Sequence, residues 1–153
     1  MTATQQPDPF GSAEPSRADG PSGPRAGFWL RFGAILIDVI LVGIALQVLQ
    51  VALPVGLYFA IGLPAAIAYY VLLEGGERGQ TVGKMACGIR VIDLARGGPI
   101  GYGRAFIRYV GRIVSSIVIL LGYFWMLWDK EKQTWHDKFA GSVVVPTSAY
   151  PVG

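Results

Sequence analysis

Charged residues are nearly absent from one long stretch of this 153-residue sequence. Between Phe32 and Leu73 the only formal charge belongs to Asp38, and apolar residues make up 52% of the whole chain. A soluble domain of this size carries more charge, whereas a helix needs roughly 20 apolar residues to cross a bilayer. The lack of charge therefore excludes an ordinary soluble fold and predicts two membrane-spanning helices.

Cysteine and histidine occur once each, as Cys87 and His136. One cysteine cannot form an internal disulfide, and one cysteine with one histidine cannot build a zinc cluster, so we expect neither a metal nor a cofactor. Asp137 follows His136, but no nucleophile motif accompanies the pair. A helix cap made by Asp137 explains these residues better than acid–base catalysis does. We therefore expect that the chain is not an enzyme.

Proline and glycine are concentrated in residues 1–26, which have little to bury and are predicted to form a disordered tail. The first span is predicted at Phe28–Val51. The second is predicted at Leu57–Leu73, beginning as early as Pro54. Pro64 lies in its middle, where it removes one backbone donor and should bend the helix.

Positive charge is in excess in residues 74–112, which hold seven Lys or Arg against three acidic residues. Such a patch can bind nucleic acid, but here it lies between two apolar segments. A cytoplasmic loop beside the cell membrane is the better interpretation, with the N-terminus on the same side. We therefore expect a lipid bilayer around the chain and no nucleic-acid partner.

The third apolar segment, residues 102–128, is ambiguous. Arg104, Arg108 and Arg112 recur every four residues, which places them on one stripe of a helix whose other side chains are apolar. This pattern favours an amphipathic helix leading into a re-entrant hairpin over residues 113–128, although the segment is long enough for a third span. The arginine stripe either contacts anionic lipid or an anionic ligand, or is a plain positively charged flank.

Ile89–Asp93 is a β-like run, and its residues Ile89–Ile92 are predicted to pair with Val143–Val145 as a small sheet. Pairing requires both strands on one side of the membrane, which supports the re-entrant alternative. The predicted fold is thus an all-α membrane protein with two spans, a third apolar segment and a small cytoplasmic β pair.

Asp38 lies about ten residues into the first predicted helix, roughly 15 Å deep and therefore near mid-membrane. Burying a carboxylate there costs about 2.5–3.5 kcal/mol, so it should face protein or water. It is either an ion or proton site, or a structural group paired with an Arg or Tyr of another helix. Arg31 lies on the same face but about 10 Å away, so Arg108 or Arg112 is the more plausible partner.

Three groups of residues together resemble the RDD family of bacterial membrane proteins. They are Arg31-Phe32 with Ile37-Asp38, the run Thr81–Asp93 that begins Thr-Val-Gly-Lys-Met, and the closing run Gln133–Val145. The family is named after one Arg and two Asp, which map here to Arg31, Asp38 and Asp137. The resemblance spans residues 27–146 as one transmembrane domain and leaves residues 147–153 as a C-terminal tail.

The resemblance implies a multi-pass module for which transport of ions or small ligands has been suggested. Arg31, Asp38 and Asp137 would then form an ion, ligand or charge-pair site. The alternative is a structural or accessory membrane protein in which Arg/Asp pairs lock helix packing or partner assembly. With so few spans, a conduit would need a homo-oligomer or another membrane protein as partner.

Overall fold

The structure, a computed structural model, describes residues 23–118 and 121–152, and most of these are helical. Residues 1–22, the greater part of the predicted tail, lie outside the described residues, as does Gly153. The helices are α1 (Phe28–Ala52), α2 (Val55–Gly75), α3 (Val82–Ala86), α4 (Tyr102–Ile117), α5 (Leu121–Phe124) and α6 (Trp135–Phe139). A 3-10 turn covers Trp125–Leu127, and the strands are β1 (Ile89–Asp93) and β2 (Ser142–Pro146).

Helices α1 and α2 form an antiparallel hairpin around the short turn at Leu53 and Pro54. Both are long and apolar enough to cross a membrane, and they are the two such helices in the described part of the chain. Large apolar side chains cover their outer surface, with Val51 81% exposed. An exposed apolar surface of this extent indicates contact with lipid. The two predicted helices are confirmed, and each is slightly longer than predicted.

The hairpin is tightly packed at Gly62 of α2. A Cβ atom at this position would lie 3.2 Å from a methyl carbon of Leu46 of α1, so glycine permits the close approach of the helices. Pro64 lies inside α2, and the helix continues through it to Gly75.

Strands β1 and β2 pair antiparallel, with Val91 opposite Val144. The predicted pairing is confirmed. Both strands are almost entirely buried, which fits their Val and Ile content. Each strand follows a glycine with positive φ, Gly88 (63°) and Gly141 (56°), a conformation that other residues rarely adopt.

The segment after Tyr102 does not continue as one long helix. The amphipathic helix α4 ends at Ile117, and the chain then forms the short helix α5 and the 3-10 turn. Apolar side chains of α4 are exposed, among them Phe106, Val110 and Ile117. An amphipathic helix with this surface is suited to the membrane interface.

The two segments that lead into the strands share the same local structure. In the first, Gln80 and Thr81 precede α3, and the Gln80 side chain donates to the Ile89 carbonyl at 3.0 Å. In the second, Gln133 and Thr134 precede α6, and Gln133 donates to the Ser142 carbonyl at 2.7 Å. In both segments, the positive-φ glycine and the first residue of the strand follow the glutamine at the same spacing.

The repeat extends to the helix on which each unit packs. Helix α3 packs on α1, and α6 packs on α4. At Gly83 of α3 a Cβ atom would overlap the Ala34 carbonyl of α1. At Gly111 of α4 a Cβ atom would lie 3.0 Å from the Cβ of His136 of α6. The fold therefore presents two similar helix–helix–strand units around one two-stranded sheet.

Candidate functional site

Glu74, near the end of α2, receives three cationic side chains. Its Oε1 accepts hydrogen bonds from Lys84 of α3 and from Arg112 of α4, the latter at 2.7 Å. Its Oε2 accepts from Nε of Arg108 at 2.9 Å. Glu74 is 1% exposed, and a carboxylate this deeply buried is stable only when it is paired and hydrogen-bonded. These bonds tie the end of a membrane helix to α3 and α4.

Asp137, in α6, receives two guanidinium groups from two different helices. Nη1 of Arg31 donates to Oδ2 at 2.6 Å, and Nη1 of Arg108 pairs with Oδ1. Oδ2 also accepts from the backbone N–H of Thr134 at 3.1 Å, which completes a capping box at the start of α6. The predicted helix cap is confirmed, and the same carboxylate also joins α1 to α4.

Asp38 is bonded by neutral donors. Oδ1 accepts from the Tyr69 hydroxyl at 2.7 Å and from the Gly83 backbone N–H at 2.8 Å, and Oδ2 accepts from the Thr81 hydroxyl at 2.6 Å. The tyrosine partner on another helix is as predicted. The prediction of Arg108 or Arg112 as partner is wrong, because both guanidinium groups bond to Glu74. Asp38 thus attaches the start of α3 to the hairpin.

The three arginines of α4 all pair with acidic side chains, and Arg108 and Arg112 share Glu74. Arg104 pairs with Asp93, at the end of β1, and its side chain is 42% exposed. Arg108 is 1% exposed and joins Glu74 to Asp137. The predicted stripe is therefore not a free basic surface, since acidic side chains of the protein occupy it. Contacts with an anionic lipid or ligand stay a prediction.

A cavity of about 420 Å³ lies between α1 and α4. Its charged lining consists of Arg31, Asp38, Lys84, Arg108 and Arg112. Four exposed apolar side chains line it as well, namely Phe32, Val39, Ile113 and Phe124. This volume falls in the range of small-molecule sites, which typically combine apolar walls with a few polar groups. The cavity thus runs from buried cations to apolar side chains at the protein surface.

The two repeated units differ in charge at this cavity. Aligning Gln80 with Gln133 places Lys84 at the position that Asp137 occupies in the second unit. Lys84 therefore adds a cation where its counterpart supplies a carboxylate. The cavity accordingly has more cationic than anionic side chains.

Burial and charge act together on the ionisable groups outside the two membrane helices. Burial alone would raise the pKa of Asp137, but the guanidinium groups of Arg108 and Arg31 outweigh it and hold this pKa well below its usual range. Burial lowers the pKa of Lys84 to about 8, with Glu74 limiting the fall. Burial also lowers the pKa of His136 well below its usual value. At neutral pH the network thus holds a charged Asp137, a mostly charged Lys84 and a neutral His136.

A family model for RDD proteins matches residues 25–141. The chain belongs to the RDD family. It is 31% identical over 139 residues to the uncharacterized membrane protein YteJ of Bacillus subtilis, covering 82% of this chain and 83% of YteJ. It is 34% identical over 128 residues to the uncharacterized protein YckC of the same organism, covering 78% of this chain and 83% of YckC.

A shorter match joins this RDD chain to the "Proline-rich antigen" of Mycobacterium leprae, with 34% identity over 84 residues, or 53% of this chain and 34% of that protein. The chain spans about a third of the length of the mycobacterial relatives it matches. No solved structure matches it. Its two candidate spans and its match to YteJ identify it as a membrane protein.

The three residues that the RDD resemblance singles out do not form one cluster of charges. Arg31 and Asp137 are directly paired, across two helices that are far apart in the sequence. Asp38 lies in the cavity wall with neutral partners. Of these three residues, two form an ion pair and the third is an attachment point for α3.

Sequence reasoning missed Glu74 and Lys84 of this RDD chain as site residues. The signal for Glu74 was present: it is an acidic residue at the end of an apolar run, while the arginines of α4 need counter-charges. The signal for Lys84 was the repeat of Gln-Thr and glycine at equal spacing. Within residues 23–118 and 121–152, no three His, Cys, Asp or Glu side chains gather as metal ligands would.

Proposed function

We propose that this RDD protein is a transport-related membrane protein that binds a small ligand or ion in the cavity between α1 and α4. One observation carries the proposal: buried charged side chains and lipid-facing apolar side chains line the same cavity. Charged groups within a membrane protein are costly and commonly mark ligand or ion pathways. The ligand would enter beside Phe32 and meet the cations at the inner end.

Asp38 has a positioning role in this proposal. Its three hydrogen bonds leave it less free to bind an ion than a carboxylate without partners would be. It fixes α3, and thereby Lys84, against the cavity. The bonds of Glu74 and Asp137 to several helices also favour a second candidate function, that of an accessory protein whose charges lock helix packing or partner assembly.

The proposal extends to the orientation of the chain in the membrane and to its assembly with other chains. The basic loop and the sheet would lie in the cytoplasm, with the N-terminal segment beside them, because Ala26 donates to the Val144 carbonyl at 2.9 Å. Residues 113–128 would then return to the cytoplasmic side without crossing. Two spans enclose no conduit, so transport requires further copies of the chain or another membrane protein. We propose no catalytic role.

A flux experiment in liposomes tests the proposal. Purified protein is reconstituted, a gradient of sodium, potassium or phosphate is applied, and coupled proton movement is followed with a trapped pH-sensitive dye. Ile35→Trp fills the cavity, since Ile35 lines it. Ile40→Trp is the matched control, because Ile40 is exposed on the lipid-facing side of the same helix. Transport predicts flux in the wild type and the control, and its loss in Ile35→Trp.

Asp38→Asn separates the two candidate functions. Under the transport proposal, in which Asp38 positions Lys84 at the cavity, the variant should accumulate normally in the membrane and lose flux. An accessory role predicts reduced accumulation, because asparagine cannot accept the same set of bonds. Absence of flux in the wild type with every gradient would rule out transport of these ions. A reporter fused after Gly153 tests the orientation, and an external signal would contradict it.

A further inference from the structure

We propose that the cavity between α1 and α4 binds the phosphate group of an acidic phospholipid. The inference rests on the proposed function in one respect, that it uses the same cavity, and it names the chemical class of the ligand. Three observations carry it: a surplus of cations, a buried donor that has no acceptor among the described residues, and an apolar wall that reaches the lipid-facing surface.

The side chains around the cavity carry more positive than negative charges. Four cationic side chains, Arg31, Lys84, Arg108 and Arg112, pair with the carboxylates of Glu74 and Asp137. The third carboxylate, Asp38, is held by hydroxyl and backbone donors and pairs with none of these cations. Three carboxylates thus stand against four cations, which leaves one positive charge in surplus, and an uncompensated buried charge is strongly unfavourable. A bound anion would remove this imbalance.

Arg112 has a buried donor to offer such an anion. Within residues 23–118 and 121–152, no acceptor lies within hydrogen-bond distance of its Nε, although this atom is buried. Its guanidinium group lies 4.6 Å from the centre of the Tyr70 ring, which holds it in place at the cavity. A guanidinium group forms paired hydrogen bonds with phosphate oxygens, so a phosphate beside Arg112 would satisfy the free donor.

The apolar part of the cavity indicates that the phosphate belongs to a lipid. A free phosphate ion would occupy only part of a cavity of about 420 Å³. The remaining wall is mostly apolar and includes Phe32 and Phe124, both of which are exposed. The outer face of α4 continues this apolar surface with Val110 and Ile117. An acyl chain would lie along this surface while its headgroup reached the cations.

Thermal unfolding in detergent tests the inference. The purified protein is titrated in dodecyl maltoside with phosphatidylglycerol, with phosphatidylcholine or with inorganic phosphate, and the unfolding temperature is recorded. A ligand that binds only the folded state raises this temperature in proportion to the logarithm of its concentration. We expect phosphatidylglycerol to raise it much more than phosphatidylcholine does. A shift with inorganic phosphate alone would overturn the lipid source, and equal shifts with both lipids would overturn the inference.

Lys84→Met ties the effect to the cavity. This change removes one surplus cation but leaves Glu74 bonded to Arg108 and Arg112, and it should weaken phosphatidylglycerol binding about tenfold, the loss of one charge-assisted hydrogen bond. Lys138→Met is the matched control, because Lys138 pairs with Asp129 outside the cavity. Equal weakening in both variants would mean general surface attraction and would overturn the inference.

Glu74→Gln provides the opposite change, since it adds to the surplus of cations. If this variant folds, it should bind phosphatidylglycerol more tightly than the wild type. Should it fail to fold, Ile35→Trp serves in its place, because filling the cavity should abolish the selective shift. The binding and flux experiments are independent. Selective binding without flux would leave the lipid site intact and overturn transport. Flux without selective binding would support transport and overturn the lipid site.

Discussion

The distal half of the α1–α2 hairpin, residues 39–68, contains no charged residue, whereas the proximal half supplies Arg31, Asp38 and Glu74. The same two helices thus serve two purposes along their length. In the distal half, exposed apolar side chains are accommodated by lipid, which is as apolar as the side chains themselves. In the proximal half, charged side chains bond to α3, α4 and α6. Specific bonds are therefore concentrated at one end of the hairpin.

This difference predicts where substitutions matter. A buried ion pair is weak evidence for net stability, but removing one partner leaves the other charge buried without compensation. In the distal half no such partner exists, and one apolar residue can replace another at the lipid-facing surface. The proximal half should therefore be intolerant of single changes, and the distal lipid-facing surface should tolerate them.

Asp137→Asn should produce the largest effect. The change removes the charge that balances Arg31 and Arg108, and breaking a buried pair in this way costs about 3–5 kcal/mol. We expect a strongly lowered unfolding temperature in detergent, measured through the fluorescence of the four tryptophans.

Asp129→Asn is the control for this prediction. Asp129 pairs with Lys138, whose side chain is 41% exposed, and a pair open to solvent contributes only about 0–1 kcal/mol. Asp129 also accepts the backbone N–H of Gln133, a bond that the amide oxygen of asparagine can still accept. If the unfolding temperature fell by a similar amount in both variants, burial of the network would not add to its stability. The contrast between the two halves would then fail.

The hairpin could be predicted from the sequence because its signal is local. An uncharged run with Leu53 and Pro54 in its middle has few alternatives to two helices, and the β-branched runs around Val91 and Val144 gave the sheet in the same way. The amphipathic character of α4 was also local, since Arg104, Arg108 and Arg112 repeat with the helical period.

The partners of each charge could not be predicted in that way. Arg31 and Asp137 are separated by 106 positions, and composition says nothing about which of several acids meets which arginine. Asp38 was expected to pair with an Arg or Tyr of another helix, and Tyr69 does bond to it. In place of the favoured Arg108 or Arg112, the short helix α3 brings the hydroxyl of Thr81 and the N–H of Gly83. Pairing depends on the tertiary path of the chain.

Acid should weaken the proximal network before it affects the distal half. The pKa of Asp137 is lowered in the folded state, so its stabilising contribution is fully present above the pKa of an unfolded aspartate, about 3.9. It is lost as pH falls below that value toward the lowered pKa. We therefore expect the unfolding temperature of the wild type to fall below about pH 4.

Comparison with Asp137→Asn isolates this contribution. The Asp137 charge also acts on the neighbouring His136, whose pKa burial lowers and Asp137 raises, so the comparison reports the effect of this charge on both residues. The difference in unfolding temperature between wild type and variant should shrink as the pH falls. A difference that stayed constant down to pH 2 would mean that Asp137 contributes nothing through its charge.

The smallest effect is expected from Val48→Leu in the distal half. Val48 is 64% exposed on α1, and the extra methylene group would extend into lipid, so the change in the free energy of unfolding should stay within about 0.5 kcal/mol. The same substitution at Val91, which is fully buried in β1 opposite Val144, overfills a packed core and should cost about 1–3 kcal/mol. Both variants gain the same methylene group, so a difference between their unfolding temperatures measures the packing around each site. If Val48→Leu proved as costly as Val91→Leu, position 48 would have to be packed against protein, as it would be in an oligomer with a partner helix on this surface.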